Sequence, residues 1–371
     1  MNKDTFLSKV YSFIHLISLY LHGEKADIEI DEETLSFYIK LAKMHSLSAL
    51  LYKAITDTGA RVNPSQLKVL EEAYYHNVQK TILFEKEREE LYTYLNDNKI
   101  DFLPLKGLVI RDYYPDIYTR EYADYDILFS DNGRKLIKVF FLSRGYEIKH
   151  YHKNSKDDVY HKKPVYNFEM HRMLFEDMNE RKVFHVYFKD YLKNSLIKEG
   201  CEHYVKDEDF YIYFVSHYYK HFYNSGFGIR TLVDNYLYLK GTKLDFSYID
   251  SELKKMGLED ISKNINTLTN GLFEGNYLSK EEEETLLHIA SSGTYGTIDQ
   301  HVEKAIKRQS KARYVLRRLF PPVSTFFIRY PWSKSIIFLP VAWFVRVITS
   351  IFRDGQRTRE ELRAVKKTKK R

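Results

Sequence analysis

The chain has 371 residues, of which 44% are apolar and 29% charged; this excludes a wholly disordered protein and leaves room for two or three packed units. A single cysteine, Cys201, excludes an intramolecular disulfide and any cysteine-built zinc site, so a reducing, cytoplasmic setting is expected. The net charge of +7 is concentrated in residues 354–371, where eight Lys or Arg face three acids; the remainder is near neutral, and no extended nucleic-acid surface is expected.

The start, Met1 to Gly23, carries an apolar run interrupted at helical spacing by Ser12, His15 and Ser18, without a small-residue cleavage site. It is read as an amphipathic helix rather than a signal peptide. Leu35 to Ile55 and Gln66 to Leu95 repeat apolar residues at helical spacing, and Asn96-Asp97-Asn98 marks a turn. A short strand is expected at Ile100 to Leu105, ending at Lys106-Gly107, with a helix from about Leu108 to Tyr114 stopped by Pro115.

Tyr122 to Phe129 reads as the next strand. A helix capped by Ser130-Asp131-Asn132 should run to Arg144 and stop at Gly145. Extended segments are expected at Glu147 to His152 and Val165 to Met173. Helices should follow from Lys182 to Leu278, with a break at Ser225 to Gly228, and continue to the basic tail. The predicted regions are therefore helical (1–97), mixed core (98–180), helical (181–330), and an apolar helix with a basic tail (331–371). The fold class expected is α+β.

The chemically loaded residues crowd in the short mixed core. Asp124 and Asp126 fall at i and i+2 on a predicted strand, which puts both carboxylates on one face. Two adjacent acids repel and raise each other's pKa unless a cation lies between them, and a hard divalent ion held by oxygen is the simplest resolution. Glu169, in Asn167-Phe168-Glu169-Met170-His171, would join them if its strand pairs beside the first. Two metals held by such acids can serve in-line phosphoryl displacement. Lys106-Gly107 at a strand-to-helix junction offers a phosphate contact, because Gly permits close approach and Lys adds a point charge. Each piece alone has a bland reading: a chance surface D-x-D, an exposed edge-strand acid, an ordinary helix start.

The order of the pieces resembles the nucleotidyltransferase superfamily that includes DNA polymerase beta and the aminoglycoside nucleotidyltransferases. More specifically, it resembles the bacterial uncharacterised nucleotidyltransferase family, through Leu105-Lys106-Gly107, Tyr113-Tyr114-Pro115-Asp116, Arg120, Asp124-Tyr125-Asp126-Ile127-Leu128 and Glu169-Met170-His171. Leu41-Ala42-Lys43-Met44-His45, His217 to His221, Arg230 with Asp234, and Leu319-Phe320-Pro321 extend the likeness along the chain. Sixteen residues separate Gly107 from Asp124, longer than the superfamily spacer, and Tyr125 stands where an aliphatic residue is usual.

The resemblance implies a minimal nucleotidyltransferase core in which Asp124, Asp126 and Glu169 bind Mg2+ or Mn2+ and carry the catalysis. Lys106, Gly107 and Arg120 would hold a nucleoside triphosphate, and the acceptor is a hydroxyl of unspecified identity. His171 shares a face with Glu169, and His217, His221, Arg230 and Asp234 lie on predicted helices near the cleft; these five are candidates to support the ligands or to hold the acceptor. His217 and His221 stand at i and i+4 but lack the further ligands a zinc site needs. Arg230 and Asp234 have the spacing of a helix-surface ion pair.

Ser335 to Phe352 is almost wholly apolar but is interrupted by Pro340 and Arg346, so a membrane span is not favoured. A buried or intersubunit helix is expected there, with peripheral membrane contact through 335–371 as the second reading. Two other functions compete with nucleotidyl transfer to a small acceptor: an inactive scaffold of the same fold docked at a membrane, and a toxin-type, tRNA-modifying or protein-modifying nucleotidyltransferase.

Overall fold

A computed structural model describes residues 2–153, 155–176, 182–224, 228–293, 306, 310–319, 338–352, 363 and 365, with the backbone alone at 222–224, 312, 317–319 and 347–352. The chain divides into two compact units, one built from Met1–Tyr219 and Gly228–Thr294, the other from Lys220–Phe227 and Tyr295–Arg371.

The first unit opens with four helices: α1 (Lys3–Leu21), α2 (Glu32–His45), α3 (Ser48–Thr58) and α4 (Pro64–Asp97). Side-chain oxygens of Asn2, Asp31 and Asn63 accept from backbone N–H groups at the starts of α1, α2 and α4, and Pro64 takes the first position of α4, where no N–H is needed. Ser12 and His15 face outward, as expected, but Ser18 is buried and donates to the Phe273 carbonyl at 2.7 Å. The apolar stretch from Leu35 to Ile55 forms two helices, because Ser46 adopts a left-handed conformation (φ 55°) that ends α2.

Next come β1 (Phe102–Pro104), α5 (Gly107–Ile110), β2 (Tyr125–Phe129), α6 (Arg134–Ser143), β3 (Glu147–His150), β4 (Asp157–Lys162) and β5 (Tyr166–His171). After α7 (Lys182–Phe188), a hairpin of β6 (Leu196–Glu199) and β7 (Glu202–Tyr204) returns to the sheet. The helix expected from Leu108 to Tyr114 is only four α-helical residues, followed by a 3-10 turn at Arg111–Tyr113. Tyr114 precedes Pro115 and is extended (ψ 140°), as the proline ring requires, which cuts the helix short.

The seven strands run in the order β3-β4-β5-β2-β1-β7-β6, with β2 parallel to β5, β1 parallel to β7 and the other neighbours antiparallel. The α+β class is as expected. The helical texture expected from Lys182, broken only at Ser225 to Gly228, is not, because the β6–β7 hairpin adds two strands beside β1.

Alternation along β2 sorts its residues between two faces. Tyr125, Ile127 and Phe129 join Phe102, Phe168 and Met170 in a core covered by Phe84, Leu91 and Leu95 of α4 and Ile137 and Phe141 of α6. Tyr125 packs on Phe84 with ring centroids 4.4 Å apart, and its hydroxyl donates to Glu85 Oε1 at 2.6 Å. An aromatic ring with a polar tip therefore serves where an aliphatic residue is usual: the core is wide there, and α4 supplies an acceptor. Arg111 closes the same network with two bonds to the Glu85 carboxylate, of 2.6 and 2.9 Å.

The remaining helices of this unit are α8 (Asp207–Asn224, whose residues to Tyr219 belong here), α9 (Ile229–Gly241), α10 (Phe246–Lys254), α11 (Glu259–Phe273) and α12 (Lys280–Ser292). His45 ties three of the helices together. Its Nδ1 accepts from the Ile229 N–H at 3.1 Å and its Nε2 donates to the Ala290 carbonyl at 3.1 Å. This pairing requires the neutral ring, and burial drops its pKa to about 4.

In the second unit the described elements are α13 (Lys311–Leu319) and α14 (Leu339–Phe352). Tyr314, Val315 and Ile306 pack against Val365. Within α14, Ala342 is buried whereas Val341 and Phe344 are exposed, so the helix is not buried on all sides. No described helix is long and apolar enough to cross a membrane. The expected break at Ser225 to Phe227, Phe320-Pro321, residues 335–337 and the basic tail apart from 363 and 365 lie outside the described residues.

Candidate active site

The site grows from the face of β2 opposite the aromatic core. Asp126 points to that face and pairs in register with Glu169 on the adjacent parallel β5, so the two acids stand side by side. His171, two residues further along β5, shares the face. One ligand atom from each of Asp126, Glu169 and His171 lies within 4.8 Å of the others. Asp124 immediately precedes β2 and is not part of this close group.

Lys106 reaches the same point from β1. Its backbone adopts φ 46° and ψ −113°, a conformation that side chains rarely occupy and that costs about 1–3 kcal/mol. The Leu105 N–H bonds the Asp126 carbonyl at 3.0 Å, which fixes the turn against β2. From this elbow Lys106 Nζ donates to Asp126 Oδ1 at 2.6 Å, and His171 Nε2 lies 2.6 Å from the same oxygen.

These contacts separate the two acids chemically. Burial penalises an ionised Asp126, but the Lys106 ammonium and the His171 hydrogen bond outweigh it and hold the carboxyl well below the ordinary range. Glu169 is less well supported: burial, then repulsion from Asp126 and Asp124, outweigh the pull of Lys106 and Lys156 and push it up to about 7. Burial and then Asp126 also raise Asp124. His171 is lowered to about 4 by burial despite the pull of Asp126, so its ring is neutral near pH 7 and Nε2 carries the donated proton. The donor set fits a divalent cation, since two carboxylates and an imidazole converge and the acids repel one another without one.

Arg120 and Gly107 are placed by a different interaction. Arg120 is buried and makes a two-pronged pair with Asp234 of α9, Nε to Oδ1 and Nη2 to Oδ2, both at 2.8 Å. The Tyr114 hydroxyl adds a third bond to Asp234 at 2.7 Å. Gly107 lies against this guanidinium: a Cβ there would fall 2.4 Å from Arg120 Nη1. Asp234 is thus engaged across the fold rather than paired with Arg230, whose Nη1 donates to the Glu121 carbonyl at 2.7 Å. His217 and His221 both lie on α8.

Three contributors escaped the sequence reading. Asp157, at the start of β4, pairs in register with His171, and its Oδ2 lies 4.0 Å from His171 Nδ1. Lys156 forms an ion pair with Asp157. Lys80 of α4 donates to the Tyr122 carbonyl and lies in the field of Asp124. Asp157-Asp158 and the surrounding lysines look like a polar loop in the sequence; only the alternation through Val159 and Tyr160 marks a strand.

The fold and site together define an α+β protein whose mixed sheet presents a carboxylate and imidazole cluster suited to a cation, beside a lysine elbow. The family model described as "Uncharacterised nucleotidyltransferase" matches residues 31–274, which contain the whole cluster, and the chain belongs to that family. No curated protein and no solved structure matches the chain.

Proposed function

We propose that the protein transfers a nucleoside monophosphate from a nucleoside triphosphate to a hydroxyl-bearing acceptor. The observation that carries this reading is the in-register pair Asp126 and Glu169, with Lys106 brought onto Asp126 from the adjoining elbow. Asp126 and Glu169, with Asp124 beside them, would hold Mg2+ or Mn2+. When bound, such an ion neutralises charge on the triphosphate and helps align the displaced and attacking oxygens.

The chain's own residues supply the rest. Glu169 accepts the acceptor's hydroxyl proton as the acceptor oxygen forms a bond to the α-phosphorus. The bond from that phosphorus to the oxygen bridging to the β-phosphate breaks, and pyrophosphate leaves with the electron pair. Lys106 turns its ammonium to the triphosphate, and Gly107, with no Cβ, lets the Arg120 guanidinium close against the elbow. Arg120, held by Asp234, braces that elbow from behind. Positioning and charge neutralisation contribute most of the rate, as in other phosphoryl transfers.

The test is calorimetry with non-hydrolysable nucleoside triphosphates and Mg2+, on the wild type and on Asp126→Asn with Glu169→Gln. Metal-dependent binding that the double variant loses supports the transferase and ranks the bases. A folded wild type that binds no triphosphate overturns the proposal and leaves the scaffold reading.

A further inference from the structure

We propose that His171 Nε2 is itself a ligand of the divalent cation, oriented from behind by Asp157, and that the site therefore selects Mn2+ over Mg2+. This rests on the reading that Asp126 and Glu169 hold the cation. Nε2 lies among the oxygens that would bind the ion, 2.6 Å from Asp126 Oδ1 and 3.8 Å from Glu169 Oε2. No other described imidazole joins a group of that kind.

The far side of the ring carries the second observation. The His171 side chain is 3% exposed, and its Nδ1 has no hydrogen-bond partner among the described residues. A buried polar atom without a partner is costly, so it calls for an explanation. Nδ1 faces Asp157 Oδ2 at 4.0 Å, across the β4–β5 register that pairs Asp157 with His171. A carboxylate behind a histidine is the usual support for an imidazole that ligates metal.

Moving the ring proton from Nε2 to Nδ1 keeps the imidazole neutral and frees the Nε2 lone pair for the ion. An approach of about 1 Å then closes the Nδ1–H to Asp157 hydrogen bond. Lys156 on the same carboxylate anchors Asp157 in place. Magnesium prefers oxygen ligands and keeps its waters, whereas manganese accepts a nitrogen in an otherwise oxygen-rich set.

The experiment uses the full chain without nucleotide, titrated with Mn2+ or Mg2+ by calorimetry and, for Mn2+, by pulsed electron paramagnetic resonance. Expected are Mn2+ binding tighter than Mg2+ and nuclear modulation from a directly bound 14N in the wild type. His171→Asn abolishes that modulation. Asp157→Asn lowers Mn2+ affinity about 10–100-fold and leaves Mg2+ affinity nearly unchanged, with circular dichroism showing both variants folded.

Bound Mn2+ without 14N modulation, equal affinity for the two ions, or a folded wild type that takes up no Mn2+ each overturns the proposal. The readout involves no triphosphate. A protein that binds Mn2+ through the imidazole but no triphosphate refutes the transferase reading while leaving the imidazole ligand established.

Discussion

Asp126 Oδ1 receives the Lys106 ammonium and the His171 ring at the same distance, so any cation brought to the site competes with Lys106 for one carboxylate. Removing that ammonium while keeping its bulk, as in Lys106→Met, is expected to raise Mn2+ affinity several-fold without nucleotide, because a positive neighbour is lost. The same change lowers triphosphate affinity. Calorimetry in the two conditions reads both signs, and a fall in metal affinity would show that Lys106 assembles the site rather than competing in it. Arg120 and Asp234 make the complementary case. Both are buried, and Asp234→Ala, which strands the guanidinium, is expected to cost about 3–5 kcal/mol in urea unfolding. Gly107→Ala forces a methyl against the same guanidinium and should cost about 1–3 kcal/mol. Each of these residues is recognisable in the sequence, yet their partnership is not. Asp234 has a plausible local partner in Arg230 at i−4, and only the docking of α9 beside the Lys106 elbow brings Arg120 to it.

At the scale of elements, the sequence is most legible where periodicity is long and unbroken. Most of α4, the strand-to-helix junction at Lys106-Gly107 and the β2 strand follow from local pattern, although β2 begins at Tyr125 and leaves Asp124, expected on the strand beside Asp126, just outside it. The pairing of β5 beside β2, on which the convergence of acids depends, was a conditional expectation and is what the sheet contains. β4 and the β6–β7 hairpin were not legible. In β6 and β7 no residue is buried, and in β4 the buried pair Asp157-Asp158 breaks the expected apolar alternation, so neither segment reads as a strand from its pattern. Asp157 was missed with its strand, since a carboxylate behind a histidine is a property of register and not of spacing. The start of α6 offers a test of how closely elements fit. A Cβ at Gly133 would meet Ile100 Cγ2 at 2.5 Å, so Gly133→Ala is expected to destabilise by about 1–3 kcal/mol in the same unfolding assay.

At the scale of the whole molecule, His45 makes stability depend on pH. Its folded pKa of about 4 lies below the ordinary 6.5, so the neutral ring's contribution is complete above about 6.5 and is lost progressively as pH falls through 4. The loss approaches about 3 kcal/mol. Thermal unfolding at pH 7, 5.5 and 4 should show it, and His45→Gln should be flatter over that window. Peripheral membrane contact through α14 is tested separately: Val341→Glu with Phe344→Glu should abolish flotation with anionic vesicles if the exposed apolar pair is the contact.

The β2–β5 register has a kinetic consequence. Asp126 and Glu169 are neighbours in space but 43 positions apart in the chain, and parallel pairing cannot be reached by a local turn. Until that long loop closes, Asp126 has only its lysine and Glu169 is an ordinary solvated acid. The capacity to bind a cation therefore arrives all at once, when β5 docks on β2. A nascent chain that has emerged only as far as β4 carries Asp124, Asp126 and Asp157 but neither Glu169 nor His171, and so lacks the cluster.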